Sequence, residues 1–154
     1  MGNNELIVEN LSKEIAELVI KSREKLKNEM NNEQIKCYWD IGRKIVEEEQ
    51  KGKSKAEYGK GLLINLSKKL RIELGKGFSR TNLQSMRLFY QYYPKCQMSG
   101  KLSWSHYCEL IMIKEKEKRD FYEKECINSK WSVRELKRQI ESSLYERLLL
   151  SDGK

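Results

Sequence analysis

The chain has 154 residues, a net charge of +8 and 35% charged side chains, and it contains a single proline. No apolar run approaches the roughly 20 residues that a membrane-spanning helix needs, and the first five residues lack the basic start of a secretory signal. We therefore expect a soluble, cytoplasmic protein that makes no membrane contact.

The cysteines and the histidine argue against metal chemistry. Cys37, Cys96, Cys108 and Cys126 contain no C-x-x-C pair, and His106 is the only histidine. A tetrahedral zinc site would need nearly all of these residues from distant segments. We expect reduced thiols, a packed or hydrogen-bonded His106, and no metal or cofactor. No nucleophile-and-base arrangement is evident, so the chain is not expected to be an enzyme.

The first fifty residues are predicted to form a helical arm. From Glu5 to about Met30, apolar residues recur at spacings of three and four with charges between them, which is typical of an amphipathic helix with a coiled-coil-like stripe. The pattern continues to Val46. Asn31-Asn32 is a weak break that either separates two helices or merely interrupts a long one.

Two glycines predict where the arm crosses another helix and where it ends. Gly42 is unfavourable inside a helix by about 1 kcal/mol relative to alanine, so we expect it to permit a close helix crossing beside Trp39. The helix is predicted to end near Gln50, because Lys51-Gly52-Lys53-Ser54 supplies a glycine stop and a flexible basic turn.

The next two helices are predicted to be joined by a glycine turn. The third helix of the pattern runs from Tyr58 or Gly59 to Leu74, and Gly75 follows as its stop. Ser79 is a plausible N-cap for the fourth helix, which lasts until Pro94. This arrangement resembles a helix-turn-helix.

The remaining elements are also helical by pattern. A fifth helix starts at Ser103 or Ser105, and a charged sixth helix covers residues 115–127. The last helix begins at a capping box, Ser132 to Glu135. Because no alternating strand pattern occurs, the predicted fold is all-α: a multi-helix bundle with a helix-turn-helix-like unit and a long N-terminal helical arm. We assign residues 1–50 to the arm, 51–147 to the helix-turn-helix-like domain and 148–154 to a frayed C-terminal end.

The positive charge is concentrated in the middle of the chain. Residues 53–101 hold eleven Lys and Arg against two Glu, while the flanking segments are nearly neutral. Such segregation favours a polyanionic partner, and we expect DNA, most simply a duplex. The alternative is an ordinary helical hairpin with a solvated basic face.

Residue types within this segment suggest a division of roles. Arg, Gln and Thr at the start of an exposed helix can read base edges, whereas lysines on the preceding helix and turn would contact phosphates. Backbone donors at the helix start near Ser79 could also hold a phosphate. The base-reading candidates are Arg80, Thr81, Gln84 and Arg87, and the phosphate-contacting candidates are Lys68, Lys69, Arg71 and Lys76.

Several ordered blocks together resemble the N-terminal domain of the YhcG-like proteins over about residues 10–147. The blocks are Tyr38-Trp39-Asp40-Ile41-Gly42-Arg43, Tyr58-Gly59-Lys60, Gly77-Phe78-Ser79 with Asn82-Leu83, Phe89-Tyr90 through Tyr93-Pro94, Leu102-Ser103-Trp104-Ser105-His106-Tyr107 and Trp131-Ser132-Val133-Arg134-Glu135-Leu136. The resemblance implies a helical, helix-turn-helix-like module placed before a nuclease domain of the PD-(D/E)XK superfamily, in a DNA-associated bacterial protein linked to restriction or mobile-element defence.

The sequence stops where that nuclease domain would start, and no catalytic residue can be carried over. We therefore predict a non-catalytic DNA-binding or targeting module. The alternative is a helical oligomerisation or docking module for a separate nuclease subunit, without direct nucleic-acid contact. In either case the N-terminal helices are expected to form a homo-oligomer.

Overall fold

Seven α-helices are present in the computed structural model, which describes residues 2–51, 56–95 and 99–152, without the side chains of 56–60 and 152. No strand occurs in these ranges, so the all-α prediction is confirmed. The predicted turn at 52–54 and Cys96 lie outside the described residues. The helices are α1 (Gly2–Lys51), α2 (Ala56–Leu74), α3 (Arg80–Tyr92), α4 (Trp104–Leu110), α5 (Lys116–Ser129), α6 (Val133–Glu141) and α7 (Leu144–Asp152).

Helix α1 is continuous through Asn31-Asn32 and contains 50 residues. Asparagine lowers helix propensity by less than about 1 kcal/mol, which neighbouring turns easily offset. Every residue from 2 to 30 is exposed. The buried residues of α1 all follow, at Ile35, Gly42, Ile45 and Val46. One helix thus supplies both a free arm, residues 2–30, and a packed segment of the body that begins near Asn31.

Helices α1 and α3 cross closely at Gly42, as the sequence predicts. A β-carbon added at Gly42 would lie 2.8 Å from the carbonyl carbon of Met86 and closer still to its oxygen. Beside this crossing, the Trp39 indole Nε1 donates to the carbonyl oxygen of Tyr93 at 2.7 Å. The Trp39 ring also meets Tyr90 edge-on, with centroids 5.1 Å apart.

Helix α3 lies at the centre of the body, because its Leu83, Met86 and Phe89 are all buried. Leu83 and Met86 pack with Ile45 of α1 and Leu63 of α2. Phe89 belongs to a larger cluster to which α1, α4, α5, α6 and the segments beside α4 contribute. That cluster also contains Ile35, Leu102, Tyr107, Leu110, Ile111, Ile113, Tyr122, Cys126 and Leu136.

The capping box predicted at Ser132 and Glu135 forms only in part. Ser132 Oγ accepts from the backbone N–H of Glu135 at 3.1 Å, but the Glu135 carboxylate accepts from Gln139 instead. A reciprocal box forms one helix earlier. There Ser103 Oγ accepts from the His106 N–H at 3.3 Å, and the Ser103 N–H donates to His106 Nδ1 at 3.1 Å. His106 therefore has a structural role, since its Nε2 also lies 2.9 Å from the Trp131 carbonyl oxygen.

The C-terminal part differs from the predicted single helix with a frayed end. A break at Ser143, whose φ is 59°, separates α6 from α7. Beyond Arg147 the backbone stays helical to Asp152. Packing explains the start of this extra helix, because the N–H of Tyr145 donates to the hydroxyl of Tyr122 at 3.0 Å.

We predict that Gly42→Ala destabilises the fold by about 1–3 kcal/mol, because the new methyl group overlaps the backbone of α3. Gly61→Ala is the matched control. Gly61 also lies inside a helix, but an added β-carbon there meets nothing within 4 Å. The control should gain up to about 1 kcal/mol from helix propensity alone. Urea denaturation followed by circular dichroism measures both changes. An unchanged midpoint for Gly42→Ala would contradict the close crossing.

Candidate nucleic-acid interface

The turn between α2 and α3 is held by contacts from both helices. Gly75 and Gly77 have φ values of 84° and 106°, a left-handed conformation that side chains disfavour. From α2, the Ser67 hydroxyl donates to the carbonyl oxygen of Phe78 at 2.8 Å. From α3, the Asn82 side-chain amide donates to the carbonyl oxygen of Gly77. The helical hairpin of residues 61–92 is therefore a fixed unit.

Asn82 also fixes the beginning of α3 against the body. Its backbone N–H donates to the Ser79 hydroxyl at 3.1 Å, and its side-chain oxygen accepts from Trp104 Nε1 at 3.1 Å. Sequence reasoning did not assign Asn82 a role in the site. The sequence feature that indicates this role is an asparagine three residues after a capping serine. Its partner Trp104, in α4, is 22 residues away, so the local sequence does not reveal the contact.

The predicted recognition face of α3 points outward at its N-terminal end. Arg80 and Thr81 are exposed, and Gln84 is half-buried. The Ser79 hydroxyl is already used as the N-cap acceptor. The N–H groups of Arg80 and Thr81, at the first two helical positions, have no acceptor within the helix and remain as donors. The first turn of α3 thus combines backbone donors with a free guanidinium.

Arg87 differs from the other base-reading candidates because its side chain contacts another helix. Its Nε donates to Glu49 Oε1 of α1 at 2.6 Å, and the two side chains are only 25% and 19% exposed. A second guanidinium nitrogen lies 3.5 Å from the Gln91 side-chain oxygen. The sequence identified Arg87 on the outward side of α3 but not this partner, which is 38 residues away. Arg87 therefore links α3 to α1 and is not freely available to a ligand.

The predicted phosphate-contacting residues are all exposed. Lys68 and Arg71 lie within about 60° of each other around α2, and Lys69 lies on a different flank, about 100° from Lys68. Lys76 is in the turn. None of these four side chains, nor Arg80, forms an ion pair with a described acidic residue. The hairpin therefore presents five cations without internal neutralisation among the described side chains.

Acidic residues limit this surface on one side. Glu47, Glu48 and Glu49 lie near the C-terminal end of α1, and Glu49 already neutralises Arg87. Elsewhere, the described residues contain no group of three or more His, Cys, Asp or Glu side chains arranged to hold a metal ion. Within the same part of the chain, no helix combines the length and apolar character needed to cross a membrane.

These features define an all-helical domain with a rigid, outward-facing cationic hairpin braced by one long helix. The family model for the DUF1016 N-terminal domain matches residues 14–147, and the chain belongs to this family. The resemblance inferred from the sequence blocks is thereby confirmed.

A curated relative places the family in context. The chain is 36% identical to the protein named "Putative nuclease YhcG" from Escherichia coli (strain K12), over 91% of this chain and 46% of the relative. The chain thus spans about half the length of that relative. The family model that matches is that of the N-terminal domain. The domain therefore occurs in a protein named as a nuclease. No solved structure matches the chain.

We predict that Arg87 and Glu49 stabilise the fold as a coupled pair. Each single change, Arg87→Ala or Glu49→Ala, should cost about 1–2 kcal/mol, because the pair is partly buried and the remaining charge loses its partner. The double variant should be destabilised by less than the sum of the two. A double-mutant cycle from urea denaturation measures this difference, with the exposed Lys68→Ala expected to change stability by less than about 0.5 kcal/mol. Strictly additive effects would contradict the pairing.

Proposed function

We propose that this chain is a non-catalytic DNA-binding or targeting module of a bacterial, cytoplasmic nuclease system. The observation that carries the proposal is the α2–α3 hairpin, in which five exposed cations have no described acidic partner. Membership in a family that includes a protein named as a nuclease supports the nucleic-acid assignment. The family match alone does not specify the ligand, so the choice of DNA as the ligand depends on the hairpin.

The shape of the hairpin supports a limited form of recognition. Recognition helices contact base edges mainly through their N-terminal residues, which here are Arg80, Thr81 and Gln84. The inner face of α3 is committed to the core, and Arg87 is committed to Glu49. A duplex would therefore meet one or two turns of α3 at most, while Lys68 and Lys76 would contact phosphates. We expect binding that is sequence-tolerant or modestly specific.

Salt dependence tests this function directly. Neutralising phosphates releases counterions, so the logarithm of the binding constant should fall with the logarithm of salt concentration by about 0.9 per phosphate contact. Fluorescence anisotropy with a labelled duplex at several salt concentrations measures the slope. Arg80→Ala should weaken binding, and Lys68→Ala combined with Lys76→Ala should also reduce the slope by about 2.

Lys124→Ala is the matched control, because Lys124 is an exposed lysine on α5, which is not part of the hairpin. It should leave both affinity and slope unchanged. Affinity that is independent of salt would reject duplex binding by this surface, and so would equal losses in the control. A competing single-stranded RNA in the same titration distinguishes the two nucleic acids. The absence of catalysis is tested by incubating plasmid with pure protein and magnesium, where cutting would reject that part of the proposal.

A second candidate function is assembly, either as a homo-oligomer or by docking a separate nuclease subunit. The observation that favours it is the arm, where large apolar side chains are exposed over residues 2–30. These are Leu6, Ile7, Val8, Leu11, Ile15, Leu18, Val19, Ile20, Leu26 and Met30. An unpartnered apolar surface of this extent is typical of an interaction site. Assembly and DNA binding are compatible, since helix-turn-helix proteins commonly bind as dimers.

We predict that the combined change Leu11→Gln, Ile15→Gln and Leu18→Gln converts an oligomer to a monomer in multi-angle light scattering. These three positions share one face of the arm, within about 60°. The control is Leu6→Gln with Ile20→Gln, two exposed apolar residues that lie about 140–180° from Leu11 around the helix. The control should keep the mass of the parent protein. A parent that is already monomeric would point to the docking alternative.

A further inference from the structure

Charge is segregated along the free arm. Residues 2–17 contain four Glu and one Lys, whereas residues 18–30 contain three Lys, one Arg and two Glu. All of these residues are exposed, and the Lys13–Glu9 ion pair, at 3.7 Å, leaves both side chains more than half exposed. The arm thus has an acidic first half and a basic second half.

The apolar stripe of the arm lies opposite the face by which α1 joins the body. With about 100° per residue, Leu11, Ile15, Leu18, Val19 and Leu26 fall within an arc of about 100°. On the same scale the buried body contacts Ile35, Gly42, Ile45 and Val46 are centred about 170° away from this stripe.

This geometry prevents the described body from covering the stripe. Helix α1 is continuous from the arm into the body, so the relation between the two faces is set by the helix itself. The residues that line the groove between the arm and the body agree with a stripe that faces away from the body. It is lined on the arm by Glu24, Lys27 and Asn28, which are not stripe residues, and on the body by Lys101 and Ser132. The stripe needs a partner outside this body.

We infer that two copies of this chain pair through residues 2–30 as an antiparallel two-stranded coiled coil. This inference rests on the assembly function proposed above and specifies its partner and direction. In an antiparallel pair, the acidic half of one arm lies along the basic half of the other. A parallel pair would place like charges side by side, which is unfavourable.

The apolar positions suggest the register. If the pair is centred near residues 16 and 17, Ile15 of one copy lies beside Leu18 of the other, and Leu11 lies beside Ser22. Ile35, the first buried residue of α1, lies 18 to 19 residues from the centre, so the two Ile35 residues are separated by about 55 Å. The two hairpins would thus be more than one DNA turn, about 34 Å, apart.

Disulfide cross-linking tests the direction of pairing. Ser12→Cys and Ser22→Cys are prepared separately with Cys37, Cys96 and Cys108 changed to serine. Cys126 is kept, because it is 1% exposed and burial raises the pKa of its thiol to about 11. The antiparallel register places residue 12 of one copy within about 1.5 Å, along the axis, of residue 22 of the other. It separates two copies of residue 22 by about 15 Å, beyond the roughly 7 Å that a disulfide can span.

We predict that oxidation yields a cross-linked dimer when the two variants are co-expressed, and that neither variant cross-links alone. Mass spectrometry identifies the joined residues, and light scattering reports the mass before oxidation. Cross-linking of each variant alone would show a parallel pair, which overturns the inference while leaving assembly intact. A dimer that never cross-links would place the interface elsewhere. A monomeric mass would overturn self-assembly and with it this inference, leaving the docking alternative open and DNA binding by the hairpin to be judged by its own titration.

Discussion

The contact between α1 and α3 is the interaction on which the rest of the molecule depends. Three features along α3 hold it: the backbone approach at Gly42, the hydrogen bond from Trp39 to the Tyr93 carbonyl oxygen, and the ion pair between Glu49 and Arg87. Because α1 is one uninterrupted helix, fixing α3 against it also fixes the direction of the arm. Loss of the glycine would therefore disturb both ends of the molecule.

The same contact determines what the cationic hairpin can offer to a ligand. Glu49 is available to Arg87 only because the close crossing brings the end of α1 alongside α3. Of the four predicted base-reading residues on α3, Arg80 and Thr81 consequently remain the fully exposed ones. Asn82 holds this end of α3 rigid through Trp104 and Gly77, so a ligand would meet a preformed surface. Preformed geometry lowers the entropic cost of binding.

Local sequence signals predicted most of the fold, and long-range contacts explain the differences. The stop at Gly75, the cap at Ser79 and the close approach at Gly42 depend on neighbouring residues or on the absence of a side chain, so a single sequence reveals them. The Glu49 partner of Arg87 and the Trp104 partner of Asn82 depend on how distant helices cross. The break at Ser143 was missed for the same reason, since it is the packing of Tyr145 on Tyr122 that favours a new helix there.

The arm is continuous with the segment of α1 that packs on the hairpin, and this continuity links the two proposed functions. A helix transmits orientation along its length, so an arm paired with a second copy would set the relative placement of both hairpins. In the antiparallel arrangement the two bodies lie at opposite ends of the pair, and each keeps its hairpin uncovered because the seam uses the face of α1 that points away from the body. The two hairpins could then bind one duplex together only at well-separated positions. Assembly would in that case increase affinity through multivalency, without requiring any single hairpin to bind tightly.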